Sequence, residues 1–301
     1  MYKSNKLVFL VNPVAGKISE KKKIQLIKDL FPDIICNIVL SKNESHAKEV
    51  SLEFFRKKYL VVACGGDGFI RLIAQKAVES GGTFALLPFG RGNDFANSLG
   101  LISLQVAANA VSIGRIKRVR YLELVFSGEE RPNRKKICLT CAGVGLLSEA
   151  AARASKMPIL KGRLLYAISA LICFIPLNIN TYIIKCDEEY FEEELLISVG
   201  AVGRFTGGGL YVAPEAGMYE KRVNLVQARK VNRFSAIKLL GSVFKGTHLL
   251  HPKVDNRHFQ KIDYDTLNKN SLARSVYGDG ELLGYLPCQI VIGEKPFLVC
   301  C

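Results

Sequence analysis

The sequence predicts an α/β protein in which a parallel-sheet unit is followed by a β-rich antiparallel unit. Three observations carry this. Over the first hundred residues, short continuous apolar runs alternate with amphipathic helical patterns, as in a parallel sheet covered on both faces. Polar, glycine-bearing segments follow three of those runs. From roughly residue 115 onward, apolar runs are separated by polar turns, as in antiparallel sheets.

The elements follow in order. "KLVFLVN" is a strand. "SEKKKIQLIKDLF" places Ile24, Leu26, Ile27, Leu30 and Phe31 at helical spacing, with Ser19 as its cap. "IICNIVL", "YLVVAC" and "FALLPF" are strands; "HAKEVSLEFFRK" and "FIRLIAQKAVES" are helices, and "DFANSLG" opens another. The segment "RVRYLELVFSGEERPNRKKICLTCAGVG" reads as two strands around a polar turn, with "KKICLTC" inside one strand. Helical patterns then fill roughly 146–175. "INTYIIKCD" turns at Asp187–Glu189 into "LLISVGAVG", and strands follow in "RVNLVQARKV", "HFQKIDYDTL", "ARSVYGDGELL" and "QIVIG", with a helix in "RFSAIKLLGSVFK". No linker marks the junction. The expected domains are 1–117 and 118–301, the final "FLVCC" strand being free to return to the first.

A net charge of +15 calls for an anionic partner. Nucleic acid is disfavoured, because zinc-finger spacing, tryptophan and an aromatic-glycine RNA-binding signature are all missing. An acidic membrane face or a phosphorylated small molecule remains, beside the plain alternative of a generic basic surface. Nine cysteines scattered through apolar segments, without a signal peptide, suit a reducing cytoplasm. Cys138 and Cys141 form a lone CxxC that reads as ordinary buried cysteine. The longest apolar run, Leu164–Leu177, is too short to span a bilayer and carries Pro176. It is expected to be a core helix, with an interfacial helix as the alternative, since the preceding "RASKMPILKGR" is both basic and apolar.

In an open parallel sheet, ligands gather at the carboxyl ends of the strands. Three segments fall there: "NPVAGK" (Asn12–Lys17), "GGDG" (Gly65, Gly66, Asp67, Gly68) and "PFGRGND" (Pro88–Asp94). Glycines let backbone N–H groups approach an anion. Gly90 and Gly92 do so beside a helix start, whose dipole favours phosphate. Lys17 and Arg91 can meet phosphate oxygens. Asp67 and Asp94 would repel a bare nucleotide and make sense with Mg²⁺ between them and the phosphates, or on a hydroxyl. Farther on, "YGDGELLG" supplies Asp279 and Glu281, either as a simple Asp-Gly hairpin turn or as a carboxylate pair able to take a proton from a hydroxyl.

Taken in order, "NPVAGK", "GGDG", "PFGRGNDFANSLG", "GGGLYVAPEA" and "GDGE" resemble the diacylglycerol kinase catalytic family, which includes bacterial lipid kinases and sphingosine kinases. The resemblance covers nearly the whole chain. It implies a Rossmann-like nucleotide domain with a parallel sheet, a β-sandwich-like lipid-binding domain, and transfer of the ATP γ-phosphate to a lipid hydroxyl, with ATP and lipid meeting in a cleft. By position, it implies that Asn12, Gly65, Gly66, Asp67, Gly68, Arg91, Gly92 and Asn93 hold the nucleotide, joined by Ser41 of "LSKNESHA" where the family places a threonine. Glu281 matches the family's proposed general base, with Asp279 beside it and Asp67 as the other candidate acid. It further implies a lipid substrate in a membrane and a peripheral location at its cytoplasmic face; a homodimer is left open.

The chain departs from the family at informative places. After "GGDG" the family has Thr and then Asn-Glu, where this chain has Phe69, Arg71 and Leu72. Arg91 stands where Thr or Ser is common. At the structural Mg²⁺ site of many bacterial members only Glu220 remains as an acid, with Lys221 and Asn224 replacing a glycine and a later aspartate. These departures motivate a second reading, a catalytically impaired nucleotide- or lipid-binding sensor. Retention of Asp67, Asn93, Asp94, Asp279 and Glu281 weighs toward the kinase.

Overall fold

The computed structural model describes residues 6–35, 37–128, 134–146, 148–149 and 179–301. The chain divides into two compact units, Met1–Val119 with Glu294–Cys301, and Arg120–Gly293.

The first unit runs β1 (Leu7–Val11), α1 (Glu20–Leu30), β2 (Asn37–Leu40), α2 (Glu44–Arg56), β3 (Leu60–Gly65), α3 (Asp67–Ser80), β4 (Thr83–Pro88), α4 (Asp94–Ser98), α5 (Leu104–Ile113) and β5 (Ile116–Val119). Its sheet has the order β2-β1-β3-β4-β17-β5, where β17 (Phe297–Cys300) is the last strand of the chain. β1 to β4 pair in parallel; β17 runs parallel to β4 and antiparallel to β5. β1 and β3 are buried along their whole length, which is why they are written as unbroken apolar runs rather than as alternating ones. Helix starts follow the side chains: Ser19, Asn43 and Ser103 each accept the backbone N–H three residues on, opening α1, α2 and α5. The Phe297 ring of β17 packs against Phe84 at 5.5 Å and Phe95 at 5.9 Å between centroids, so the returning strand supports α4 from below. Cys300 and Cys301 are both buried, which suits a strand packed in the sheet.

The second unit contains β6 (Leu122–Phe126), β7 (Arg134–Cys138), β8 (Cys141–Gly145), β9 (Asn180–Cys186), β10 (Glu189–Ala201), β11 (Val223–Arg229), α6 (Arg233–Val243), β12 (Val254–Phe259), β13 (Lys261–Asp265), α7 (Ser271–Arg274), β14 (Ser275–Gly278), β15 (Glu281–Tyr285) and β16 (Cys288–Ile292). The strand order is β15-β14-β8-β10-β9-β13-β16-β6-β7, with β11 pairing both β10 and β12, and every pairing is antiparallel. β9 shows the expected two-residue period: Asn180, Tyr182, Ile184 and Cys186 point inward. Tyr182, Ile184 and Cys186 join Leu122, Leu124, Ile262, Tyr264 and Ile290 in one core, where each fully buried large apolar side chain contributes about 1.5–3 kcal/mol. The two buried phenols keep partners: Tyr182 donates to the Ala273 carbonyl at 3.2 Å, and Tyr264 shares a 2.9 Å bond with Ser198.

One sequence expectation fails here. "KKICLTC" is not a single strand, because β7 ends at Cys138 and β8 begins at Cys141. The two cysteines are buried and each thiol donates to a carbonyl, Cys138 to Cys141 and Cys141 to Gly203, both at 3.1 Å. Burial first, and the Asp279 charge second, push the Cys138 thiol well above its usual pKa. The expected helices over most of 146–175, including the apolar run Leu164–Leu177 and the basic segment before it, lie outside the described residues. Among the described residues, no helix is long and apolar enough to cross a membrane.

Candidate active site

The parallel sheet sets the first unit's loops side by side. In register, Val11 pairs with Leu40 and with Cys64, and Gly65 pairs with Pro88. The segments leaving β1, β2, β3 and β4 therefore start from one edge. The backbone continues that alignment: Asn12 N–H donates to Cys64, Ser41 N–H to Val11 and Phe89 N–H to Gly65, each at 2.9 Å.

The loops then close on one another. Gly16 has φ +67°, and a Cβ there would run into the Phe89 carbonyl oxygen. A Cβ on Gly90 would lie 2.6 Å from the Gly66 Cα. Glycine is thus required because three backbones pass too close for any side chain. At their meeting point α3 begins, a 14-residue helix with Gly66 at its cap and no side chain capping it. Its first-turn N–H groups are what an anion would use.

Asp67 binds two of these loops together. Its carboxylate accepts the N–H of Asn93 at 2.8 Å and of Phe95 at 3.4 Å. This corrects part of the sequence argument. The amides at the start of α4, offered there to a phosphate, are occupied by Asp67, and α4 is only five residues long, so its dipole is small. Asn93 sits in the left-handed region, φ 55°, and its amide donates to Gly90 at 3.3 Å. Asp94 and Ser41 are buried, while Lys17 and Arg91 are exposed.

The apolar residues of the altered stretch after "GGDG" pack into the unit. Ile70 and Leu72 are buried on α3, and the Phe69 ring lies against Gly65, whose Cβ would come within 2.7 Å of it. Phe69 fills the space behind the loop that a side chain at position 65 would need.

Sequence reasoning missed Lys23. It belongs to a run of three lysines on α1, yet it is fully buried and donates from Nζ to the carbonyls of Pro13 at 2.6 Å and Asn12 at 3.0 Å. Burial lowers its pKa, and Glu20 partly offsets this. It clamps the loop that carries Asn12 against α1. No signal in the sequence distinguishes it from Lys21 and Lys22, apart from its fall four residues before Ile27, the buried position on that helix.

In the second unit, Asp279 and Gly280 form the two-residue turn between β14 and β15, with φ of 49° and 80°. Both positive values mark the primed hairpin turn that Asp-Gly favours. The Asp279 carboxylate accepts Leu139 N–H at 2.7 Å, Thr140 N–H at 3.0 Å and the Thr140 hydroxyl at 2.8 Å. Those bonds take the backbone donors that a continuous strand would have spent on its ladder, and so break "KKICLTC" in two. The geometry gives Asp279 a holding role and supports the hairpin reading of this motif. Glu281, at the start of β15, is exposed.

Glu220 does not gather a metal set. Its carboxylate lies 4.0 Å from His258 Nε2, and the nearby Asn224 is buried with its Nδ2 2.6 Å from Asn256 Oδ1 and 3.3 Å from His258 Nε2. Neutral amides occupy the place where a cation would want carboxylates. Among the described residues no group of three His, Cys, Asp or Glu side chains is arranged to hold a metal ion.

Comparison with known families agrees with this architecture. Residues 6–124 match the diacylglycerol kinase catalytic domain, and residues 140–297 match the YegS C-terminal NAD kinase beta sandwich-like domain. The chain belongs to the diacylglycerol kinase family of lipid kinases. It is 24% identical over 296 residues to the diacylglycerol kinase of Bacillus subtilis (strain 168), covering 94% of this chain and 91% of that one. It is 26% identical over 242 residues to the diacylglycerol kinase of Mycobacterium tuberculosis (strain ATCC 25618 / H37Rv), covering 76% and 72%. A solved diacylglycerol kinase structure from Bacillus anthracis str. Sterne superposes with a TM-score of 0.71 at 18% identity, covering 98% of this chain and 96% of that one, which establishes the shared fold.

Proposed function

We propose that the protein transfers the γ-phosphate of ATP to the hydroxyl of a membrane lipid of the diacylglycerol class. The observation that carries this reading is the convergence of Gly16, Gly66 and Gly90 at the uncapped start of α3. Those glycines let the loops pass backbone to backbone beside first-turn N–H groups that no side chain caps, and such N–H groups are what a polyphosphate uses. Lys17 and Arg91 would add positive charge, and Asn12, Ser41 and Asn93 polar contacts. Mg²⁺ carried in with ATP would supply neutralisation of phosphate charge; Asp67 and Asp94 are the acids of these loops that could face it. The structural Mg²⁺ position near Glu220 is not part of the proposal, because its donors are unsuited.

The reaction is an in-line displacement. The lipid hydroxyl oxygen bonds to the γ-phosphorus, the bond from that phosphorus to the β,γ-bridging oxygen breaks, ADP leaves, and the hydroxyl proton passes to Glu281. Asp279 holds the hairpin that carries Glu281. Because the acceptor is a bilayer lipid, the protein works peripherally at an anionic membrane face.

Labelled ATP with a panel of diacylglycerol, monoacylglycerol, ceramide, sphingosine and undecaprenol in mixed micelles tests the reading. Radioactive lipid phosphate is the expected product. ATP binding without transfer to any lipid, in Mg²⁺ or Mn²⁺, would reject it in favour of a binding-only protein.

A further inference from the structure

Helix α6 carries apolar residues on a second stripe beside its buried one. The buried stripe carries Ala236, Leu239, Leu240 and Val243, of which Ala236 and Leu240 pack with Leu146, Leu196 and Ala228. The other carries Phe234, Ile237 and Gly241, continued one residue past the helix by Phe244. Their spacing of three, four and three residues lines them up on a single stripe. Apolar side chains on a helix ordinarily face the core, yet Phe234 is 69% exposed, Ile237 48% and Phe244 41%. In the 3₁₀ turn Thr247–Leu250 that follows the helix, Leu250 is 85% exposed. That projection is fixed by its neighbour: His248 is buried, with Nε2 2.9 Å from the Val212 carbonyl.

The charge around this stripe has one sign. From Arg229 to Lys253 the chain has no Asp or Glu. Arg229 and Lys230 are paired with Glu193, Asp255 and Glu194 at the foot of the helix. Arg233, Lys238 and Lys245 flank the stripe and are exposed, with Lys238 Nζ 4.5 Å from the Phe234 ring centre. Aromatic and aliphatic side chains ringed by lysine and arginine match an interface that is apolar below and anionic above. A second copy of this face would instead oppose Arg233, Lys238 and Lys245 with their own like charges.

We infer that the outer face of α6 is a membrane-docking surface. Phe234, Ile237, Phe244 and Leu250 enter the boundary of the acyl region of an anionic bilayer, and Arg233, Lys238 and Lys245 meet its headgroup phosphates. This rests on the reading that the substrate lies in a membrane and adds to it the surface by which the protein arrives.

The chain has no tryptophan, so Phe234→Trp places a single reporter on the stripe. On vesicles of phosphatidylglycerol and phosphatidylcholine its emission is expected to shift to the blue and to be quenched by brominated acyl chains. In co-sedimentation, the combined Phe234→Ser, Ile237→Ser and Phe244→Ser variant is expected to lose about ten-fold or more in partition. Lys238→Glu with Lys245→Glu is expected to erase the preference for phosphatidylglycerol over phosphatidylcholine alone. An unchanged unfolding temperature confirms that the variants fold, as expected for exposed positions. The inference is overturned if the wild-type chain does not bind anionic vesicles, or if it binds while the tryptophan stays in water. It is also overturned if the triple variant sediments like wild type, or if that variant instead dissolves a dimer, which would mean that a second copy covers the face. Vesicle binding without phosphoryl transfer would leave the docking surface standing and reject the kinase reading; transfer without insertion would do the reverse.

Discussion

The carboxylate of Asp67 accepts the backbone N–H of Asn93 at 2.8 Å, joining the loop after β3 to the loop after β4. With the second bond to Phe95, one side chain fixes the spacing of the two glycine segments that approach at Gly66 and Gly90. Asp67→Ala leaves both N–H groups without their acceptor. We expect a loss of about 1–3 kcal/mol in urea unfolding and a fall in ATP affinity, measured by titration calorimetry, because the loops are no longer held in register. Asp67→Asn should retain part of each, since its carbonyl can still accept one of the two bonds.

Lys23 does for Asn12 what Asp67 does for Asn93. Lys23→Met keeps the length and apolar stem but removes the donor from the Asn12 and Pro13 carbonyls. Relief from burying an ammonium offsets the lost bonds, so global stability should change by no more than about 1 kcal/mol. Nucleotide affinity should fall by about five-fold or more, because the loop is released. Affinity and unfolding measured on the same preparation separate the two effects.

Asp279 is a test of long-range turn holding. Asp279→Asn tolerates the positive φ but presents an N–H to the N–H of Leu139, so one buried bond becomes a clash of donors. A loss of about 1–3 kcal/mol in denaturant unfolding is expected. Asp279→Ala should lose more, since it abandons all three bonds and keeps the strained φ.

His248 gives the second unit a pH dependence. Burial lowers its pKa below the ordinary 6.5, against the opposing pull of the Val212 carbonyl. The folded protein therefore keeps the ring neutral, while the unfolded chain takes up a proton as pH falls through that value. Its contribution to stability is complete above about pH 7 and is lost as pH drops through the unfolded pKa toward the folded one. Comparing thermal unfolding at about pH 7.5 and about pH 5.5 should show this fall, and His248→Gln should shrink it.

The sheet and its loops were legible because their causes are local. Unbroken apolar runs report strands buried on both faces, and glycines immediately after them report close backbone approach, as Gly16, Gly66 and Gly90 show. What could not be read has distant causes. The break between Cys138 and Cys141 is made by Asp279, 140 residues from Leu139. Lys23 differs from its neighbours only in which way it faces. The amides of α4 looked available until Asp67, 26 residues earlier than Asn93, was seen to occupy them. The outer stripe of α6 was hidden for another reason: with apolar residues on two stripes, the helix shows no one-sided period to mark what is exposed.

The central claim is that Glu281, exposed on the hairpin that Asp279 holds, takes the proton of the attacking hydroxyl. The most direct measurement is single-turnover transfer of labelled γ-phosphate to lipid by Glu281→Gln, alongside its ATP affinity and unfolding temperature. The account predicts that transfer falls by about 10²–10⁴-fold while ATP affinity stays within a few-fold and the fold is unchanged. A Glu281→Gln protein that transfers phosphate at the wild-type rate would contradict it.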